Sequence, residues 1–238
     1  MSLVFTLKGR SSTLSTDFVP PIELDPNSQY GIALIGFYSY NTIPNIEENT
    51  YLHYSEGGKE KKLQIPSGTY EISDIENYLS KYLVKENESE KRENFFYLRP
   101  NNTTLKCELF HRSISIDFTT SIELGRLLGF SQKHLPAGIE HQSDLPVNIV
   151  PVRCIHIDCS LARGSFYNDK ICHTIYEFSV GVDPGYAIDL TPQHLIYLPV
   201  SNSGRIDNIS LNILDQDFNL VNFRGEEIIV RLELKKWS

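Results

Sequence analysis

The sequence has few of the residues and runs that mark several common classes of protein. Its 238 residues include four cysteines, one tryptophan and one methionine. The cysteines form no CxxC pair, and we expect them to be small buried residues of a protein from a reducing compartment. No run approaches 18 uninterrupted apolar residues, so we expect no membrane-spanning helix. The first residues lack an apolar segment behind a basic one, and we therefore expect no signal peptide.

Basic residues are scarce relative to acidic ones. There are 30 Asp and Glu residues against 22 Lys and Arg residues, and the formal net charge is −8. Because phosphate binding depends on clusters of Lys and Arg, this balance argues against direct binding to nucleic acid. The one dense charged run, Lys85–Glu93, mixes both signs and is interpreted as a solvated loop tip.

Motifs for catalysis are also missing. The sequence has no GxGxxG, P-loop, nucleophile elbow or paired-carboxylate signature. Most of its histidines are scattered along the chain, at His53, His111, His134, His141, His173 and His194. We therefore predict that the protein is not an enzyme, with no catalytic residues, no cofactor-binding residues and no cofactor.

Strand patterns dominate what is present. Apolar residues alternate with other residues over Leu3–Lys8, and with polar residues over Ile206–Leu214 and Glu226–Lys236. The run Gly31–Tyr38 is almost continuously apolar, as in a strand that is buried on both faces. Further strands are predicted at Tyr51–Tyr54, Val147–Leu161, Ile171–Val180 and His194–Val200.

The middle of the chain carries the helical patterns. Ser73 with Glu76 predicts a capping box for a helix near residues 71–84, where apolar residues recur at helical spacing. Thr120 with Glu123 predicts a second helix near residues 120–129, which ends at Gly129. Strands are predicted between the helices at Phe95–Leu98, Leu105–Phe110 and Ile114–Phe118, and a loop is predicted at residues 131–146.

These patterns predict an all-β dominated fold. Outside the middle segment there are eight or nine strands without βαβ alternation, which is the count for two four-stranded sheets. We predict a single antiparallel jelly-roll β-sandwich with a small αβ insertion. The jelly roll is assigned to residues 1–62 plus 145–238. The insertion is assigned to residues 63–144, either as a subdomain or as an integral part of one domain.

The stretch LDQDFNLVNFRGEE, at Leu214–Glu227, has the spacing of a calcium-binding loop. Oxygen-bearing side chains stand at four ligand positions of an EF-hand: Asp215, Asp217, Asn219 and Glu226. However, Leu220 occupies the position that requires Gly for a sharp turn, and both flanks have strand periodicity. We interpret the stretch as a corner between two strands and predict no calcium site.

A second group of possible metal ligands lies in a predicted strand. Cys154, His156 and Asp158 share one face of it. There is no His-x-His pair and no further ligand in a recognisable frame, and the opposite face is apolar. An ordinary half-exposed strand explains this pattern, so we predict no metal. The alternative, a cupin-like metalloenzyme, requires a metal at these three residues.

Several short motifs together resemble those of a known family. In chain order these are LGF at Leu128–Phe130, a Pro-Gly-Tyr turn at Pro184–Tyr186, YLPV at Tyr197–Val200, and DQDFNL with FRGEEIIVRLEL within Asp215–Leu234. They resemble the minor capsid, or penton, proteins of Polinton/Maverick elements and adintoviruses. The resemblance runs from about Leu63 to the C-terminus. Phe218 departs from it, because the family pattern has Gly in this corner.

The resemblance implies a function as well as a fold. It implies a single jelly roll and a homopentamer at the vertices of a virion capsid, next to a major capsid protein of the double jelly-roll hexon type. It implies no catalytic residues, and it does not indicate which residues form the subunit interface. The remaining alternative is a cellular jelly-roll binding module, monomeric or dimeric, with a ligand groove that exposes aromatic residues.

Overall fold

The computed structural model describes residues 2–84, 95–201 and 204–237, so the charged run Lys85–Glu93 lies outside the described residues. The strands are β1 (Ser2–Gly9), β2 (Thr13–Glu23), β3 (Tyr30–Tyr40), β4 (Tyr51–Glu56), β5 (Lys59–Gln64), β6 (Phe96–Asn101), β7 (Lys106–His111), β8 (Ile114–Asp117), β9 (His134–Leu135), β10 (Glu140–Pro146), β11 (Ile155–Cys159), β12 (Ser165–Tyr167), β13 (Lys170–Cys172), β14 (Thr174–Phe178), β15 (Ala187–Leu190), β16 (Leu198–Pro199), β17 (Arg205–Leu214) and β18 (Ile228–Lys236). The helices are α1 (Ile72–Leu83) and α2 (Ile122–Leu128).

The chain divides into two compact units. Unit 1 contains Met1–Ile43 and Val152–Ser238, and unit 2 contains Pro44–Pro151. Both described helices belong to unit 2, as the sequence predicted. No helix among the described residues is long and apolar enough to cross a membrane.

Besides the two-stranded hairpin β12-β13, unit 1 contains two larger antiparallel sheets. One has the order β1-β18-β3-β15, with β16 also paired to β3, and the other has the order β14-β11-β17-β2. β15 pairs with β3 at Phe37–Tyr40 and β16 pairs with it at residues 31–32, so the two short strands share one edge of β3. Each sheet therefore has four strand positions. This arrangement confirms the predicted antiparallel, jelly-roll-like fold class.

The core of unit 1 lies between the inner faces of the two sheets. Along β18, and along β17 from Ile209 to Ile213, every second residue is buried, because alternate side chains of a strand point to the same face. β3 is buried at almost every position, as its apolar run predicted. Its register with β18 shifts at Ile35, where one extra residue forms a bulge. The inward positions consequently change from Ile32 and Leu34 to Phe37.

Unit 2 has its own sheets and core. One sheet has the order β10-β7-β6 and the other has the order β5-β4-β8-β9. α1 and α2 contribute apolar residues to the core of this unit, which includes Ile75, Leu79, Leu124 and Leu128. The three strands predicted between the helices are confirmed as β6, β7 and β8.

The unit boundaries differ from the sequence-based assignment of 1–62 plus 145–238 and 63–144. β4 pairs with β8, and Leu52 of β4 is buried in the core of unit 2. β4 and β5 therefore belong with the middle segment, and the chain passes from one unit to the other after Ile43 and before Val152. Sequence periodicity did not reveal this, because β4 pairs with a strand that lies about sixty residues further along the chain. That the two units are separate domains stays a proposal.

Both helices were predicted correctly, but their N-terminal capping was not. α1 begins after Glu71, whose backbone N–H donates to the Asp74 carboxylate at 3.0 Å, so Ser73 and Glu76 are not its capping box. α2 begins after Ser121. The hydroxyl of Thr120 instead donates to Asp117, and Glu123 pairs with Arg126 on the helix surface.

Several strand predictions also need correction. The predicted loop at 131–146 contains β9 and β10. β10 is mostly exposed and pairs with β7, so its sequence lacks the alternation that marks a half-buried strand. Val147–Leu161 is strand only at Ile155–Cys159, and only Leu198–Pro199 of the predicted strand His194–Val200 is strand. The predicted strand at residues 171–180 is interrupted at His173, between β13 and β14.

Gly129 has the special backbone that its predicted position at the helix end requires. It ends α2 with φ +81°, and its carbonyl oxygen accepts the N–H groups of Asp144 and Leu145 at 3.0 and 2.9 Å. A Cβ atom on Gly129 would overlap the backbone carbonyl oxygen of Leu145. This contact involves two backbone segments, so a change of rotamer does not relieve it.

We expect Gly129→Ala to lower the free energy of unfolding by roughly 2–4 kcal/mol, as the sum of left-handed strain and overpacking. Gly58→Ala is the matched control. Gly58 has φ +76° in the β4–β5 turn and nothing within 4 Å of a Cβ atom. It should lose about 1 kcal/mol, from strain alone. Urea denaturation measures both, and equal losses would contradict the proposed overlap.

Candidate functional site

His156 lies in the middle of one sheet of unit 1 under an aromatic cover. β11 is flanked by β14 and β17, and His156 is only 4% exposed. Its ring stacks on Phe218, with 5.2 Å between the ring centroids and 20° between the planes. The Tyr167 ring contacts the Phe218 ring edge-on at 4.7 Å. The prediction of an ordinary half-exposed strand is therefore wrong for His156, because the corner and β12 cover its outer face.

Two further metal-ligating side chains lie beside His156. Glu177 is its cross-strand neighbour on β14, and the Glu177 Oε2 atom lies 3.5 Å from the His156 Nδ1 atom. Cys154 comes directly before β11. The ligand atoms of Cys154, His156 and Glu177 all lie within 4.8 Å of one another. No other group of three such side chains is this close in the part of the chain that the structure describes.

The structure thus replaces one member of the group of possible ligands that the sequence suggested. Asp158 is engaged elsewhere, since its carboxylate accepts a hydrogen bond from the Thr174 hydroxyl at 2.6 Å. Glu177 takes its place. Sequence reasoning missed Glu177 because the register of β11 against β14 decides which residue faces His156, and spacing along one strand does not contain that register.

Three cysteine thiols have a raised pKa. Burial, together with the negative charge of Glu177, raises the pKa of Cys154. Burial raises the pKa of Cys107 to about 12 and that of Cys159 to about 11. Both are buried free thiols, as predicted, while Cys154 and Cys172 are partly buried.

The calcium-like stretch folds as a corner. β17 and β18 belong to opposite sheets, and the stretch crosses between them. The Asp215 carboxylate accepts the backbone N–H groups of Asp217 and Asn219 at 2.8 and 2.9 Å. The carboxylate is therefore used inside the turn, as in an Asx turn. This geometry supports the corner interpretation.

Phe218 adopts the backbone conformation for which the family pattern has Gly. Its φ is +62°, in the left-handed region, and its ring supplies the cover over His156. Left-handed φ in a bulky residue costs about 1–2 kcal/mol. The stack on His156 and the contact with Tyr167 offset this cost.

An open cleft of about 490 Å³ adjoins His156 and Glu177. The hairpin β12–β13 forms part of its wall, and there Phe166 pairs across the strands with Ile171. These two side chains are 66% and 72% exposed. Ile196 also lines the cleft and is 60% exposed. The surface formed by Phe166, Ile171 and Ile196 is called the hairpin surface below.

Of the scattered histidines, His111 is buried in unit 2. Its Nδ1 atom accepts the backbone N–H groups of Ser113 and Ile114 at 3.0 and 2.9 Å, which places the ring proton on Nε2. Nε2 has no partner of acceptable geometry among the described residues. Burial lowers the pKa of His111 from 6.5 to about 4, although a backbone interaction with Leu83 offsets part of this effect.

Protonation of His111 should destabilise the fold in mild acid. The unfolded chain binds this proton near pH 6.5 and the folded chain only near pH 4, so stability falls as the pH drops between these values. The loss is on the order of 3 kcal/mol. Urea denaturation should show a weaker pH dependence over this window in His111→Asn, whose side chain still accepts N–H groups. An unchanged dependence would contradict the assignment.

Two substitutions at Phe218 separate backbone strain from ring packing. Both Phe218→Gly and Phe218→Ala remove the stack on His156, but only Gly relieves the left-handed strain. We expect the Gly variant to be more stable than the Ala variant by about 1 kcal/mol in urea denaturation. An Ala variant as stable as the Gly variant would show that the corner relaxes when the ring is lost.

Comparison with known proteins finds similarity among solved structures only. No protein-family model and no curated protein sequence matches this chain. Among solved structures, the fold is similar to the crystal structure of the selenomethionine-labelled mavirus penton protein. The TM-score is 0.51 at 12% sequence identity, and the similarity covers 99% of this chain and 99% of that one. At this identity the similarity concerns the fold, and it confirms the penton-like fold that the sequence motifs implied.

Proposed function

We propose that this protein is a penton subunit, a structural protein of a viral-type capsid. The observation that carries the proposal is the extent of the structural similarity. It covers 99% of both chains, so it includes unit 2 as well as the jelly-roll-like unit 1. A jelly roll alone occurs in many unrelated proteins and would carry no functional conclusion. The motifs in Leu128–Phe130 and Asp215–Leu234 support the same function independently.

The proposal includes an oligomeric state and partners. We infer a homopentamer at capsid vertices, next to a major capsid protein of the double jelly-roll hexon type, in a shell that is assembled inside the host cell. In a five-fold ring each subunit joins its neighbour through two different flanks. Such a subunit contributes shape and contacts rather than catalysis. Its negative charge is compatible with a wall position without direct contact to the genome.

The hairpin surface is the part of unit 1 that best suits a contact between copies. Phe166, Ile171 and Ile196 are large apolar residues, and all three are more than half exposed. Adjacent exposed apolar residues of this size mark interaction surfaces more often than ordinary monomer surface. Permanent oligomer contacts are about 65% non-polar. We therefore place the hairpin surface in the contact between neighbouring copies.

A cellular ligand-binding module is the second candidate function. The cleft beside His156, which Phe166 and Tyr167 line, is the observation that favours it. Such a module would be monomeric or dimeric. The two functions therefore differ in the mass of the assembled protein.

The purified protein should assemble with a mass of five times its 27.2 kDa subunit mass. Light scattering over a range of concentrations measures this mass, and electron microscopy of the peak should show five-fold rings. Ile171→Asp should shift the mass towards that of the monomer without lowering the stability of the subunit, because Ile171 is mostly exposed. Val150→Asp changes an exposed apolar residue of unit 2 and serves as the matched control.

Three results have distinct meanings. A pentamer that persists in Ile171→Asp would place the contact elsewhere and leave the capsid proposal intact. A wild-type monomer at high concentration that also fails to join shells with the major capsid protein would contradict the capsid proposal. A saturable small ligand in the cleft of such a monomer would favour the binding module.

A further inference from the structure

We propose that Cys154, His156 and Glu177 form a binding site for one Zn²⁺ ion. The three side chains bring a sulfur, a nitrogen and an oxygen ligand atom within 4.8 Å of one another. They come from two neighbouring strands and from the residue before one of them, so the pleated sheet itself holds them together. This inference does not rest on the proposed capsid function.

The donor set favours zinc over the other common divalent metals. Zinc is bound in proteins by Cys, His and carboxylate side chains, in tetrahedral geometry. Calcium and magnesium prefer sites made only of oxygen atoms, and the thiol and imidazole do not suit them. Three protein ligands leave a fourth zinc position, which a water molecule fills in open sites of this kind.

Small side-chain movements are sufficient to close the site. Zinc–ligand bonds of about 2.0–2.3 Å place tetrahedral ligand atoms roughly 3.5 Å apart, so atoms that now lie within 4.8 Å must approach by up to about 1.3 Å. His156 is the fixed member, because Phe218 packs on its ring. The Glu177 side chain is 68% exposed and is free to rotate towards it. Cys154 lies outside the strand ladder of β11 and is less constrained than a strand residue.

The surroundings supply an access path. His156 and Glu177 both line the open cleft of about 490 Å³, from which an ion and its water ligand can enter. Phe218 stacks on the imidazole ring, and Tyr167, which also lines the cleft, contacts that ring edge-on.

Metal binding here would strengthen the free edge of a sheet. β14 pairs with β11 alone among the described strands. An ion that joins Cys154 and His156 to Glu177 would link the two strands through side chains in addition to their backbone hydrogen bonds.

The experiment uses the full chain after treatment with a chelator. Isothermal titration with ZnCl₂ should give one site per subunit, and thermal denaturation should show a higher melting temperature with zinc, because binding to the native state stabilises it by mass action. Cobalt(II) should give a thiolate charge-transfer band that reports Cys154 as a ligand. CaCl₂ in the same titration should have no effect.

Matched variants test the identity of the ligands. Cys154→Ser and Glu177→Gln should each lower zinc affinity roughly tenfold or more, since loss of a direct ligand costs at least as much as loss of its supporting partner. Cys172→Ser, in the same cleft, and Glu48→Gln, an exposed carboxylate of unit 2, should keep the wild-type affinity. The absence of stoichiometric zinc binding would overturn the proposal, as would wild-type affinity in both Cys154→Ser and Glu177→Gln.

Discussion

The corner between β17 and β18 is the constraint on which the rest of unit 1 depends. These consecutive strands occupy inner positions in opposite sheets: β17 lies between β11 and β2, and β18 lies between β1 and β3. Every second residue is buried in β18 and in β17 from Ile209 to Ile213, so a shift of one residue in either register would turn these apolar side chains outward. The turn at Asp215–Asn219 fixes where the chain passes from one sheet to the other.

The same corner also builds the environment of His156. Phe218 takes a left-handed backbone conformation within the turn, and this directs its ring onto the imidazole. A glycine at this position would form the turn without strain but would remove the ring that stacks on His156. The corner therefore connects the two large sheets of unit 1, and it also packs against the one group of three metal-ligating side chains found in the described part of the chain.

Sequence reasoning succeeded where local patterns determine structure. The alternation in β17 and β18, the apolar run of β3 and the helical spacing of α1 each led to the observed element. It failed where partners distant in sequence decide the outcome. The assignment of β4 to unit 2 depends on β8, the polar strand β10 depends on β7, and Glu177 faces His156 only through the register of β14. The capping predictions failed for another reason. Glu71 and Ser121 are the N-cap residues of the two helices, although neighbouring residues match the capping motif better.

The central proposal is that this chain occupies the five-fold vertices of a capsid. Electron cryo-microscopy of particles assembled from this protein and the major capsid protein of the same genome tests it most directly. We expect five copies of the two-unit fold at each vertex, with neighbouring copies in contact through unit 1. Particles whose vertices contain another protein, or shells that close without this chain, would contradict it.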